Sequence, residues 1–324
     1  VAIAIGGPGA IFWMWVSAVV GMSTKFFTSS LAIMYRGKDS DGELQGGPMY
    51  FIVEGLGKKW KPLAIFFSAC AMIGALPVFN VNQLTQAIND LLYFILVVII
   101  LIVNIDVVPK YFLMIFTDAF SADFIKGDAF FGGVLGALII LGIKRGAFSN
   151  EAGVGTAPMA HGAAKTDEPV REGLVAMLGP FIDTIIVCTL TALAILVTGV
   201  WQTSDTNGVS LTATAFGNAM PGIGKYLLMI CVAIFSISSL FSYSYYGTKS
   251  LSFLAGAKNK HLYNYLFIGS IILGATASLD TMINLIDSAF ALMAIPTMLA
   301  TIILAPKVMK EARNYIERLK NSRD

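Results

Sequence analysis

Side chains able to bind a small ligand are concentrated between Arg145 and Thr166, directly after an apolar run. Polar groups and helix breakers alternate there: Ser149, Asn150, Glu151, Gly153, Gly155, Thr156 and Pro158. A helix broken at membrane depth frees backbone N–H and C=O groups, which is tolerated only where protein or a wet cavity surrounds them. Discontinuous helices of this kind bind anionic substrate groups and Na⁺. We therefore predict a substrate site here; the alternative is a cytoplasmic loop followed by a helix start.

The elements that position these residues must be membrane helices. Hydrophobic residues make up 56% of the 324 positions, charged residues make up 13%, and the mean hydropathy is +0.75. This composition is typical of an integral membrane protein in a lipid bilayer. The formal net charge of +2, without a basic block interleaved with aromatics, gives no indication of nucleic acid. The three cysteines lie in apolar runs without metal-ligand spacing, so we expect small buried side chains rather than disulfides or metal ligands.

Length and polarity predict eight spans, since about 20 apolar residues cross the hydrocarbon core. They are roughly 9–34, 62–82, 91–104, 132–147, 170–199, 224–254, 262–279 and 282–305. Lysines and arginines between the spans mark the cytoplasmic side, and the basic tail 307–324 predicts a cytoplasmic C-terminus on an amphipathic, interfacial helix. The connections 105–131 and 200–222 are poor in basic residues and are predicted to face outward.

This orientation makes 62–82 and 91–104 both leave the cytoplasm, which is impossible for consecutive spans. The run after Asp90 is also short for a span, so we predict that one inward-going span is absent near this residue.

Other polar residues lie within or beside the spans. Asp183 is deep in an apolar run, where a carboxylate is a functional hypothesis by default; the alternative is a helix-pairing Asp bonded to hydroxyls or to Arg171. Serine hydroxyls could bind Na⁺ or could simply allow close helix packing. These are Ser236, Ser238 and Ser239. Asn80 and Gln83 could line an outer cavity or end a helix.

Enzyme motifs are absent from the sequence: no GxSxG, HExxH or P-loop occurs. An intramembrane hydrolase would need two of Glu151, His161 and Asp183 within hydrogen-bond reach of one cavity. We expect His161 to be a capping or surface residue rather than a proton relay. We therefore expect no enzyme.

Several stretches resemble the alanine or glycine:cation symporters, which are prokaryotic Na⁺-coupled amino-acid transporters of the amino acid-polyamine-organocation superfamily. They are GGPGAIFWMWVSAVVGMSTKF from Gly6, GGPMYFI from Gly46, the stretch from Arg145, and FIDTIIVCTLTAL from Phe181. The resemblance implies the five-plus-five inverted repeat of the leucine-transporter type, with 1–104 as the remainder of the first repeat and 132–306 as the second. It also implies a first broken helix, carrying a GTGN-like motif, that is missing before Val1.

The same resemblance carries the site over by position. Ser149, Asn150, Glu151, Gly153, Gly155 and Thr156 then fall on the broken helix, while Ser238 and Ser239 fall where relatives place Na⁺-binding hydroxyls. Tyr243 stands where the family pattern has Trp, Thr248 where it often has Glu, and Thr297 where it has Asn.

Together these observations predict symport of a small neutral amino acid, alanine or glycine, with Na⁺ rather than H⁺, by alternating access. We predict no cofactor, with Na⁺ as the coupling ion. We expect a multi-pass protein of a prokaryotic inner (plasma) membrane. The sequence leaves the oligomeric state open. The alternative is a receptor, scaffold or inactive fragment that keeps the spans without transport.

Overall fold

The computed structural model of the chain describes residues 2–76, 86–121, 131–203, 209–276 and 279–321. The backbone of these residues is almost entirely helical, in agreement with the predicted all-α membrane fold, because helices satisfy their own backbone polar groups. The α-helices are α1 Ala2–Gly6, α2 Gly9–Met34, α3 Pro48–Leu56, α4 Lys61–Gly74, α5 Gln86–Val103, α6 Val108–Asp118, α7 Phe131–Asn150, α8 Thr156–His161, α9 Pro169–Pro180, α10 Cys188–Val197, α11 Val200–Thr203, α12 Val209–Ala219, α13 Gly224–Ala255, α14 Leu262–Thr276 and α15 Leu279–Asn321. A π-helical segment, Phe181–Val187, joins α9 to α10.

Helices lie at all eight predicted spans. Three are long and apolar enough to cross a membrane by length and composition, among the described residues: Gly9–Met34, Pro169–Val197 and Asn284–Asn321. A fourth candidate is the bent pair Ile95–Val103 and Val108–Asp118, whose two parts differ in direction by 102°.

The second part of this bent pair, α6, is an element that the sequence prediction missed, since 105–131 was taken only as an outward-facing connection. Pro109 lies in the first turn of α6, where its missing N–H costs no hydrogen bond. The aromatic ring of Phe116 then packs against Phe12 at 5.9 Å and against Trp15 at 5.4 Å, measured between ring centroids. Aromatic packing therefore stabilises this helix, and the acidic residues around it had suggested only a connection.

Two compact units share the chain. One comprises residues 1–20, 83–150 and 180–238, and the other comprises 21–82, 151–179 and 239–324. These segments interleave along the sequence, and the predicted division into repeats at 1–104 and 132–306 stays a prediction.

The first unit is built around α10, which packs against α5, α6 and α12. α10 is buried on all sides over a run of small and branched apolar residues from Ala192 to Leu196. Two tryptophans of the FWMW stretch on α2 join this unit through polar bonds as well as packing. Trp13 donates to the carbonyl of Ala119 at 3.1 Å, and Trp15 donates to the hydroxyl of Thr189 at 2.7 Å. Each indole N–H thus has the partner that a buried tryptophan needs.

The second unit is built around α3, α4 and α15, which pack against one another. Glycine allows close helix contact at two places: a Cβ on Gly74 would lie 2.7 Å from Met293 Sδ, and one on Gly55 would lie 2.7 Å from a methyl carbon of Leu304. The buried stripe of α15 repeats every four residues, which is the spacing of one helix face: Ala300, Leu304, Val308 and Ala312.

A small β-hairpin follows α2 in the second unit, an exception to the all-α prediction. β1 Gly37–Lys38 pairs antiparallel with β2 Leu44–Gln45. The Asp39 carboxylate holds the turn because it accepts bonds from the backbone N–H groups of Asp41 and Glu43, both at 3.0 Å. Burial, with a smaller contribution from Asp39, raises the pKa of nearby Tyr50 to about 12, so that its hydroxyl stays protonated at neutral pH.

The described residues of the basic tail continue α15 without interruption to Asn321. Ala312 packs inward, while Met309, Ile316 and Leu319 on the predicted apolar face are exposed. An interfacial helix turns its apolar face to lipid, so the interfacial position of the tail stays a prediction.

Candidate functional site

The predicted helix break is present. α7 ends at Asn150 and α8 begins at Thr156. Three of the intervening residues have positive φ angles: 51° at Glu151, 85° at Gly153 and 109° at Gly155. Only glycine adopts such angles freely, so Glu151 is in a conformation that a non-glycine residue enters at a cost of about 1–2 kcal/mol. Local contacts must therefore hold this residue in place.

Gly155 is enclosed by side chains of the second unit. A Cβ at this position would lie 2.6 Å from the ring of Phe67, 2.8 Å from Pro48 Cγ and 2.8 Å from the hydroxyl oxygen of Thr297. Gly153 is less confined, with Met298 Sδ 3.0 Å from the same hypothetical atom. Gly153 and Gly155 thus allow both the positive φ angles and the close packing of the break.

The carboxylate of Glu151 accepts two side-chain hydrogen bonds. Tyr243, on α13, donates its hydroxyl to Oε1 at 2.6 Å, and Thr156, the first residue of α8, donates its hydroxyl to Oε2 at 2.5 Å. Bonds to a charged acceptor are stronger than neutral ones. These two bonds connect Glu151 to α13 and to α8. Thr156 is completely buried. This arrangement accounts for the unusual φ angle of Glu151.

A freed backbone carbonyl within the break also has a hydroxyl donor within reach. The hydroxyl oxygen of Thr297, which is completely buried on α15, lies 3.3 Å from the carbonyl oxygen of Val154 and 2.9 Å from that of Met293, and its single proton is shared between these two acceptors. The position singled out as a departure from the family pattern therefore binds the broken backbone directly.

Polar side chains of the first unit form a chain at the end of α7. Asn150 is 1% exposed and donates through Nδ2 to the hydroxyl of Thr184 at 3.3 Å. The Thr184 hydroxyl is 3.5 Å from that of Ser149, and Ser149 Oγ is 3.3 Å from Cys188 Sγ. Buried polar groups with partners of this kind fix side-chain orientation. The amide and the hydroxyls of this chain are bonded to one another at the end of α7.

The π-helical segment carries Thr184 and the predicted site residue Asp183. Its wider i→i+5 turns follow Pro180, which lacks the N–H that a regular α-helix would use. Thr184 is completely buried on this segment, whereas Asp183 is only half-buried. π-Helical turns are rare and frequently mark functional sites. Asp183 was predicted from the sequence as a site residue but Thr184 was not, although proline before a threonine-containing apolar run was an available signal.

The remaining predicted residues are less fully described. Ser236, Ser238 and Ser239 lie on α13, but their side chains are outside the described part of the structure, as are Asn80 and Gln83 altogether. Among the described residues, no group of three His, Cys, Asp or Glu could hold a metal ion. The substrate and Na⁺ assignments stay predictions.

His161 is neither a surface residue nor a simple helix cap, contrary to expectation. Its Nδ1 lies 2.5 Å from Oε1 of Glu172, and both side chains are about one-sixth exposed. The sequence prediction failed because the two residues are eleven positions apart on separate helices. Glu151 bonds to Tyr243 and Thr156 instead, so the described contacts give the hydrolase alternative no support.

Comparison with known proteins identifies the family. The profile of the sodium:alanine symporter family matches residues 1–91 and 87–324. The chain belongs to the sodium:alanine symporter family. It is 36% identical to the sodium/alanine symporter AgcS of Methanococcus maripaludis over 368 aligned positions, covering 99% of this chain and 80% of that protein. It is 30% identical to the probable sodium/glutamine symporter GlnT of Bacillus subtilis, covering 100% of this chain and 75% of that protein.

Membership in the sodium:alanine symporter family makes the chain a transporter rather than an enzyme, and the family and its members indicate sodium-coupled amino-acid symport. A third relative, YrbD of Bacillus subtilis, is named as a putative sodium/proton-dependent alanine carrier; it is 30% identical and covers 100% of this chain and 78% of its own length. The multi-pass membrane character agrees with the apolar helices. The resemblance stated from short stretches is thereby confirmed over nearly the whole chain.

Proposed function

We propose that this chain imports a small neutral amino acid, alanine or glycine, together with Na⁺ by alternating access. The observation that carries the proposal is the helix break at Glu151–Gly155, next to the buried amide of Asn150, in a member of this family. Broken helices supply backbone groups for a ligand's carboxylate and ammonium groups. A small zwitterion requires both.

Residue roles follow from chemistry. Asn150, Ser149 and Thr184 offer amide and hydroxyl groups to the amino acid, while Glu151 braces the break through Tyr243 and Thr156. In this proposal Ser236, Ser238 and Ser239 provide neutral oxygens for Na⁺. Asn80 and Gln83 are further candidates for binding the substrate, and Asp183 is a further functional candidate. Na⁺ is favoured over H⁺ because the family is named for sodium.

The proposal includes the five-plus-five inverted repeat and an inner-membrane location with a cytoplasmic C-terminus in a prokaryotic cell. The family profile matches in two pieces that meet near Asp90, and the alignment with the Methanococcus relative is longer than the chain. Both observations support the proposal that relatives carry an additional span near this residue.

Uptake by reconstituted protein tests the residue assignment. Wild type, Asn150→Leu and the control Asn314→Leu, at an exposed position of α15, are compared in liposomes with an inward Na⁺ gradient. Loss of a buried polar group in contact with ligand is worth about 1–3 kcal/mol, or roughly 5- to 150-fold in rate or affinity. We expect Asn150→Leu to lose alanine uptake by that factor and Asn314→Leu to keep it. Equal uptake by wild type and Asn150→Leu would overturn the assignment.

The substrate is tested on the same liposomes with labelled alanine, glycine, serine, D-alanine and glutamine. Glutamine is included because one relative is named for it. Preference for alanine or glycine supports the proposal, whereas preference for glutamine contradicts it.

A further inference from the structure

One arginine makes three hydrogen bonds to the connection between α8 and α9. Arg36 lies just beyond the end of α2, and its Nε donates to the carbonyl of Gly162 at 2.9 Å. Nη1 donates to the carbonyl of Thr166 at 2.9 Å, and Nη2 donates to that of Ala164. All the guanidinium nitrogens are therefore directed at one short backbone segment. The side chain is 14% exposed, so water competes little for these bonds.

Backbone contact reinforces this attachment. A Cβ on Gly46 would lie 2.5 Å from the Cα of Gly162, and one on Gly162 would lie 2.5 Å from the Cα of Gly46. Real Cβ atoms do not approach other atoms this closely, so both positions require glycine unless the backbone shifts. The connection thus rests directly on the residues that precede α3.

A second buried cation acts at the end of α8. Lys249, which is 8% exposed, donates through Nζ to the carbonyl of Met159 at 3.2 Å and lies 4.6 Å from the ring centre of Tyr245. The last carbonyls of a helix have no partner within the helix, and cationic side chains commonly bind them. Lys249 and Arg36 therefore bind the carbonyls of Met159 and Gly162, at the C-terminal end of α8.

Arginine suits this role for a geometric reason. Its planar guanidinium presents donors in fixed, diverging directions, whereas lysine has one compact ammonium group. A lysine could keep the positive charge but could not reach the carbonyls of Gly162, Ala164 and Thr166 at once.

α8 needs such support because it has only six residues, and a helix this short has little stability of its own. Its N-terminal end is fixed through Thr156 and Glu151, as described above. Its C-terminal end is fixed through Met159 and Gly162. The position of the break therefore depends on contacts at both ends of α8.

We infer that Arg36 is a positioning residue for transport, which fixes the segment Gly162–Thr166 and thereby the arm of the broken helix that follows the break. This inference rests on the proposed transport function. Arg36 does not contact the substrate; it acts through α8. Weakening its bonds releases α8 and lowers the fraction of protein with the break correctly placed.

The test compares Arg36→Lys and Arg36→Gln with Arg318→Gln. Arg318 is a matched control because its Nη2 donates to Glu168, in the same connection, at 2.9 Å, but its side chain is 56% exposed. Na⁺-driven uptake is measured over a range of amino-acid concentrations. Because bonds from a charged donor contribute about 1.5–3 kcal/mol each, we expect both Arg36 variants to lose at least about tenfold in turnover. Exposed ion pairs contribute little, so Arg318→Gln stays within about twofold of wild type.

Hydrogen exchange provides a readout that does not depend on transport. Amides of this segment close local turns, for example Gly162 N–H to the Pro158 carbonyl at 2.9 Å. We expect faster exchange over residues 159–166 in both Arg36 variants, with unchanged exchange in α4 and α15. A merely structural role would instead accelerate exchange throughout the α3–α4–α15 core.

The outcomes separate the two claims. If wild type shows no Na⁺-dependent uptake, the proposed function fails, while exchange over 159–166 still tests the attachment by Arg36. If wild type transports and Arg36→Lys matches it in turnover and in exchange, the inference is overturned. Arg36→Lys keeps the charge and the aliphatic stem, so it carries the test if Arg36→Gln does not fold.

Discussion

Replacing Gly155 by alanine is the most sensitive perturbation of the helix break. The residue has a φ of 109°, and an added Cβ would lie 2.6 Å from the ring of Phe67 and 2.8 Å from both Pro48 Cγ and the Thr297 hydroxyl. The backbone angle costs a residue with a side chain about 1–2 kcal/mol. Crowding of a packed site costs a further 1–3 kcal/mol or so. We therefore expect Gly155→Ala to lower the free energy of unfolding by about 2–5 kcal/mol.

Two other glycines separate these contributions. Gly42 has a φ of 84° with nothing within 4 Å of an added Cβ, so Gly42→Ala should show only the backbone cost, about 1 kcal/mol once the lower conformational entropy of the unfolded alanine chain is included. Gly136 lies within α7, with nothing within 4 Å and no positive φ. Gly136→Ala should stabilise the protein by about 0.5–1 kcal/mol, because alanine is the better helix former.

The assay is denaturant unfolding of the purified variants in one detergent, followed by tryptophan fluorescence, with thermal midpoints as a second measure. The expected order of stability is Gly136→Ala, wild type, Gly42→Ala and then Gly155→Ala. The fraction of Gly155→Ala protein that folds should also lose amino-acid uptake. If Gly155→Ala were no less stable than Gly42→Ala, the packing around the break would not be as close as the structure indicates, and the reasoning would be refuted.

Further predictions concern the hydroxyls that hold the break. Tyr243→Phe removes one bond to the Glu151 carboxylate and should reduce stability by about 1.5–3 kcal/mol, whereas Tyr226→Phe, at a side chain 66% exposed, should change it by less than about 0.5 kcal/mol. Thr297→Val keeps the shape of the side chain but leaves the buried carbonyl of Val154 without this donor, so we expect a loss of about 1–3 kcal/mol in the same unfolding assay. Equal stabilities of the two tyrosine variants, or a Thr297→Val protein as stable as wild type, would contradict these roles.

Helices and the break were predictable because they depend on local sequence. Apolar length predicted where helices lie, and the Gly153 and Gly155 pair after a polar cluster predicted where α7 ends. α6 was missed since its stabilising contacts are with Phe12 and Trp15, about a hundred residues away in the sequence.

The residues of the site were predictable by type but not by partner. Asn150 and Glu151 were identified from their polarity next to an apolar run, yet nothing local indicates that Glu151 bonds to Tyr243, 92 positions later, or that Thr297 binds the freed carbonyl of Val154. The three bonds from Arg36 could not be predicted either. A connection rich in lysine and arginine indicates only which side of the membrane it faces. Long-range polar partners are determined by the tertiary fold.

Sodium-driven uptake by the reconstituted wild-type protein tests the central claim most directly. Labelled alanine is supplied to liposomes with an inward Na⁺ gradient, with choline in place of Na⁺, or with a proton gradient alone. We expect labelled alanine to accumulate above its external concentration only with the Na⁺ gradient. This accumulation should be lost when an ionophore collapses the gradient. Uptake that is the same with choline as with Na⁺ would contradict sodium-coupled symport.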